Sequence, residues 1–177
     1  EDGERHALFT LVSPFLKDIV YYTNKNSINL FAEALGELIS PTDYARTVKA
    51  ELSGMGIDSC GITLKDASGL SPANAVPAEV FTDLLIWAKG HLSDVFVASL
   101  PQGNVDWGLR IYSDHPILRG NILAKTGSMS GVRALAGYLK TQRGETLAFT
   151  ILVNNYVGDP VKVQEIIRDL LKEFADK

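Results

Sequence analysis

Apolar positions recur along this 177-residue chain with two distinct periods. In the last third the period is two. Runs near 121–126, 132–140 and 146–153 alternate side chains as strands do, and "QRGE" between the second and third is a hairpin signal. Elsewhere the spacing is helical. Leu30, Phe31, Ala34, Leu35 and Leu38 share one helix face, which predicts a buried stripe. A helix over 41–55 sets Tyr44, Val48, Leu52 and Met55 on one side, and Gly54 and Gly56 mark its end. Another starts at Pro77 with Val80, Phe81, Leu84, Leu85 and Ala88 inward. Asp159-Pro160 caps a closing helix that turns Val163, Ile166, Ile167, Leu170, Leu171 and Phe174 toward the core.

Weaker patterns fill the rest. Residues 6–12, "HALFTLV", and 60–64 read as short strands. Ser13-Pro14 supplies an N-cap and first-turn proline for a helix carrying Phe15, Leu16, Ile19 and Val20. Residues 22–27, "YTNKNS", predict a polar break after it. Between 91 and 120, Gly103, Gly108 and Gly120 indicate loops around short elements. Helices first, then an antiparallel meander and a closing helix, define an α+β domain: an antiparallel sheet flanked by helices.

Composition narrows the classes of function. The net charge of −4, with no run of Lys or Arg, argues against a nucleic-acid partner. One cysteine, Cys60, excludes an internal disulfide and a cysteine-based zinc site. His6, His91 and His115 have no metal-ligand spacing, so no metal site is expected. No apolar run reaches the length of a membrane span.

Three segments carry candidate chemistry. In "AKTGSMSGVRALAGYL", Lys125, Thr126, Gly127 and Ser128 interrupt a core strand. A lysine and hydroxyls there can hold a carboxylate, Gly127 lets a ligand backbone lie alongside, and a backbone N–H can serve an oxyanion. A strand end with a bulge explains the same residues without function. In "TNKNSINLFAEAL", Ser27 is equally a helix N-cap or a proton relay, with Asn29 orienting its neighbours. "DASGLSPAN", 66–74, reads as a loop of Asx- and Ser-turns.

Taken together and in this order, the three segments resemble the D-alanyl-D-alanine carboxypeptidase/endopeptidase branch of low-molecular-mass (class C) penicillin-binding proteins. The resemblance implies a β-lactamase/transpeptidase-like domain of which residues 1–177 are the C-terminal part. Such proteins use Ser-x-x-Lys for the nucleophile, then Ser-x-Asn, then Lys-Thr-Gly. By resemblance, Ser27 and Asn29 form the second signature and Lys125, Thr126 and Gly127 the third, with Ser128 assisting. Thr126 and Lys125 would receive a C-terminal carboxylate, and Ser128 N–H would be an oxyanion donor.

No serine in the chain has lysine three residues on, so the nucleophile signature is absent. The resemblance therefore implies a parent serine peptidase acting through an acyl-serine, and a chain that is inactive alone. It also implies stem peptides ending in D-Ala-D-Ala as substrates, β-lactams as inhibitors, a periplasmic or extracytoplasmic location, and no cofactor. The N-terminal part of the same domain would be a partner, and without it Leu30, Phe31 or the inner sheet face would be left exposed. Two other readings stay open: a non-catalytic muropeptide-binding module, and a β-lactamase relative.

Overall fold

The computed structural model describes residues 8–92 and 94–177. Its centre is a three-stranded antiparallel sheet in the order β1-β2-β3, with β1 Ile122–Met129, β2 Val132–Lys140 and β3 Thr146–Asn154. Register is set by alternation: Ile122 faces Leu139, Ala124 faces Gly137 and Thr126 faces Leu135. Gly137 is obligatory there. A Cβ on it would lie 2.0 Å from Leu123 O and 2.5 Å from Ala124 Cα, so only hydrogen lets the two strands close.

The two sheet faces are covered by different helices. On one, Ile122, Ala124, Leu135 and Leu139 pack with Ile167, Leu171 and Ala175 of the closing helix α6, Pro160–Ala175. Leu109 and Leu118, from the irregular segment around the 3-10 turn Trp107–Leu109, complete that core. On the other face Leu123, Ala136, Tyr138 and Ala148 meet α4, Ala78–His91, and α5, Asp94–Ser99. The Tyr138 hydroxyl donates to Leu85 O at 2.6 Å, so its polar end is paired inside this apolar face.

The remaining helices are α1, Leu16–Asn26, α2, Asn29–Ile39, and α3, Tyr44–Gly54. A second small core under α3 and α4 joins Leu52, Ile57, Ile62 and Val80. Glu33 on α2 ties down the 66–74 loop by accepting from Ala67 N at 3.3 Å and Ser68 N at 2.9 Å. Gly36 lets Ala67 close in, since a Cβ there would sit 2.6 Å from Ala67 Cβ. Within the loop Asp66 accepts from Gly69 N, Ser71 N and Asn74 Nδ2, a self-contained Asx network.

Several expectations fail for identifiable reasons. Residues 8–12 form no strand, and Leu8, Phe9, Leu11 and Val12 are exposed, because no strand lies beside them to pair with; His6 and Ala7 lie outside the described residues. Residues 60–64 make only the single bridge Thr63–Ala75. The first helix starts at Leu16 with Phe15 as its cap, two residues later than Ser13-Pro14 predicts. It then runs through 22–26 where a polar break is expected. Asn24 donates to Ser99 Oγ at 2.8 Å, and Lys25 donates to Leu100 O at 2.7 Å and to Asp106 at 2.9 Å. Tertiary partners override the local polarity.

The predicted burial of two stripes is also corrected. Leu30 and Leu38 on α2 are 74% and 73% exposed, and on α6 Ile166 is 68% exposed while Leu170 and Phe174 are partly so. Both stripes are helical as predicted, but nothing among the described residues covers Leu30, Leu38 or Ile166, while Ile167 and Leu171 of the second stripe are buried. The exposure of Leu30 and Phe31 expected without the N-terminal part of the domain is what the structure has. The outer edge of β3 likewise has no neighbouring strand among the described residues.

Candidate functional site: the free edge of β1

The site begins where the cover of β1 stops. Gly103 N donates to Ile122 O and Ala124 N to Pro101 O, both at 2.9 Å, so segment 101–103 pairs with the outer edge of β1 as far as Ala124. Beyond that point the edge is open. Successive residues of an antiparallel strand turn their N–H and C=O alternately to the two sides. Ile122 and Ala124 point outward, so Thr126 and Ser128 do too, and Ser128 presents an outward N–H. The bulge that would explain Gly127 without function is absent: the ladder with β2 continues unbroken through Met129.

Side chains alternate at right angles to this edge. Lys125 and Gly127 face the α4–α5 side and border a mostly apolar cleft of about 300 Å³ between Phe81, Leu84, Phe96 and Leu152. Thr126 and Ser128 share the opposite face with Ile122 and Ala124. Gly108 lies beside Thr126, whose hydroxyl would be 3.7 Å from a Cβ at that glycine.

Ser27 meets Lys125 across 98 residues of sequence: Lys125 Nζ donates to Ser27 Oγ at 2.9 Å, and also to Thr126 O at 2.8 Å. Desolvation holds the Lys125 ammonium below the ordinary lysine range. Ser27 is not a helix N-cap. It is the C-cap of α1 in the left-handed region (φ 53°, ψ 51°), with its N–H and that of Ile28 turned back to Thr23 O. A non-glycine residue in that conformation costs about 1 kcal/mol, and here the strain aims the hydroxyl at Lys125. The Asn24–Ser99 and Lys25–Asp106 contacts hold α1 against this segment, two anchors concealed in the stretch that reads as a break.

Asn29 opens α2 and is exposed, with no side-chain hydrogen bond among the described residues. The structure thus brings Ser27, Lys125 and Thr126 together, and among the described residues Asn29 makes no side-chain hydrogen bond to them. Sequence reasoning also overlooked Arg133, directly opposite Ser128 in the β1–β2 register, whose Nη1 donates to Ser128 Oγ. A charged residue inside an otherwise apolar strand was the available signal.

Solved structures contain the same arrangement of elements. Penicillin binding protein 4 (dacB) from Haemophilus influenzae, crystallised with a β-lactam, matches at a TM-score of 0.82 and 28% identity, over 90% of this chain and 41% of that one. An extended-spectrum β-lactamase matches at a TM-score of 0.72 and 17% identity, over 91% of this chain and 63% of that one, a likeness of fold alone. The fold is therefore the α+β fold that penicillin binding protein 4 shares with this β-lactamase. In sequence, a D-alanyl-D-alanine carboxypeptidase of Actinomadura sp. is 34% identical over 182 residues, 95% of this chain and 32% of the relative. A match to the D-Ala-D-Ala carboxypeptidase 3 (S13) family covers residues 2–177, and the chain belongs to that family. It spans about a third of the length of the relative from Actinomadura.

Proposed function

We propose that this chain is the C-terminal segment of the penicillin-binding domain of a serine-type D-Ala-D-Ala carboxypeptidase/endopeptidase that acts outside the cytoplasm on peptidoglycan stem peptides. The contact between Lys125 Nζ and Ser27 Oγ carries the reading, because it joins two separate signatures at an open strand edge. A Ser-x-x-Lys nucleophile, absent from this sequence, would come from the rest of the domain. The exposed stripes of α2 and α6 and the unpaired edge of β3 favour such a neighbour.

In the reaction, the incoming serine Oγ bonds to the carbonyl carbon of the penultimate D-alanine. The C–N bond breaks, and the leaving amine takes the proton that the attacking serine hydroxyl gives up. Lys125 occupies an acceptor position on Ser27 Oγ, so the Ser27 O–H remains free to pass that proton on. The outward N–H of Ser128 supports the oxyanion, while Thr126, Ser128 and the Lys125 charge receive the terminal carboxylate. Asn29 orients the substrate at the rim, and Gly127 keeps the strand bare for it. Water then hydrolyses the acyl-serine. β-Lactams enter by the same acylation. None of these steps calls for a cofactor, and without the nucleophile this chain is not acylated.

Labelled penicillin tests the proposal on the full-length protein beside its Lys125→Ala variant. Strong labelling of the first and loss of at least about a hundredfold in the second is expected for a removed electrostatic contact. Equal labelling would overturn the assignment.

A further inference from the structure

Arg133 sits where the reaction above has given it no task. Ser128 and Arg133 are directly opposed, and the outward turn of Ser128 makes them a non-hydrogen-bonded pair, the kind whose side chains approach closest. Arg133 Nη1 donates to Ser128 Oγ and is held further by Val132 O at 3.0 Å and Met129 O at 3.3 Å. The Tyr156 ring lies over the guanidinium, 5.7 Å from its Cζ. Among the described residues Arg133 Nε is buried with no hydrogen-bond partner, an arrangement that costs stability. Beside these groups an open cleft of about 550 Å³ runs past Ser128, Ser130 and Tyr156.

A hydroxyl has one proton and two acceptor positions. With one acceptor position filled by a fixed guanidinium, the Ser128 proton must point away from β2. We propose that Arg133 is a positioning residue for carboxylate recognition: it fixes the Ser128 hydroxyl as a donor to the terminal carboxylate of a substrate lying along β1. The assignment rests on the proposed function and adds to it the residue that sets selectivity for a free carboxylate.

Full-length protein is acylated with a penicillin and with the corresponding carboxamide, and the ratio of rates is compared among variants. Wild type prefers the carboxylate. Arg133→Gln narrows that preference by roughly tenfold, the scale of one hydrogen bond to a charged group, while carboxamide acylation holds steady. Arg133→Lys restores part of the ratio. Ser128→Ala narrows it as well, and adding Arg133→Gln to Ser128→Ala changes it no further. Equal slowing of both ligands in Arg133→Gln, or a full Arg133 effect without the Ser128 hydroxyl, overturns the assignment. Should Arg133→Gln fail to fold, Arg133→Lys with and without Ser128→Ala gives the same comparison. Absence of labelling in wild type overturns the proposed function itself and this assignment with it.

Discussion

The two ends of this chain carry apolar stripes of similar quality and use them in opposite ways. Around the sheet, Leu109, Leu118, Ile122 and Leu135 are fully buried, and Leu139, Ile167 and Leu171 nearly so. In α1 no residue is buried, and in α2 only Gly36 is. Helical periodicity states which side chains want a partner. It does not supply one. The β meander and α6 find theirs within the chain, whereas α2 and half of α6 present Leu30, Leu38 and Ile166 to solvent.

That contrast is best attacked at the sheet first. Gly137→Val forces a Cβ into the Leu123 carbonyl and should cost more than about 4 kcal/mol, seen as loss of cooperative melting. Leu139→Ala, within the same core, should cost about 2–5 kcal/mol by denaturant titration. Leu30→Ala is the control at the other end. In this chain it should stay within about 0.5 kcal/mol of wild type. A loss matching that of Leu139→Ala would erase the distinction between the two regions. In the full-length protein the same change should cost 1 kcal/mol or more if a neighbouring segment covers α2, on a scale of about 0.8 kcal/mol per buried methylene.

The site itself sharpens the comparison through pH. Burial lowers the Lys125 pKa, so the folded protein carries a penalised ammonium at neutral pH. The penalty is relieved as pH rises from the lowered folded value to the ordinary 10.5. Stability attributable to Lys125 therefore increases across that window. Lys125→Met should melt higher than wild type at pH 7, with the gap closing toward pH 10.5, even as acylation is lost. A variant that melts lower at pH 7 would show that the contacts to Ser27 and Thr126 outweigh desolvation.

The smallest expected effect lies at Glu33, whose carboxylate is held below 4.5 by hydrogen bonds from the Ser68 hydroxyl and N–H. Its contribution is present above its ordinary pKa and fades as pH falls through the lowered value. Glu33→Gln should flatten acid unfolding slightly. An unchanged acid limb would mean that the 66–74 loop is held by Asp66 alone.

What the sequence disclosed follows the range of the interactions involved. β2 and β3 were legible because alternation and the "QRGE" turn are local, and α6 because Asp159 caps it, accepting from Val161 N at 2.8 Å. The meeting of Ser27 with Lys125 was legible through motif order. The helical run through 22–26 was not, since Asn24 and Lys25 find their partners about 75 residues away. The strand expected over 6–12 is absent from the described residues 8–12 for the complementary reason: a strand-like composition has no meaning without an adjacent edge. Arg133 stayed hidden because cross-strand register, rather than spacing along the chain, puts it against Ser128.

One detail of β1 sets a length. Segment 101–103 pairs with the strand up to the Ala124 N–H, and the strand ends at Met129, so among the described residues Thr126 and Ser128 are the outward residues of this stretch with both backbone groups unpaired. A peptide adding itself to this edge is held in register over about two residues before its main chain loses contact, given one outward residue in every two. Under the proposed function, the free edge would then be a short gauge, matched to the last dipeptide of a chain and too short for an extended strand.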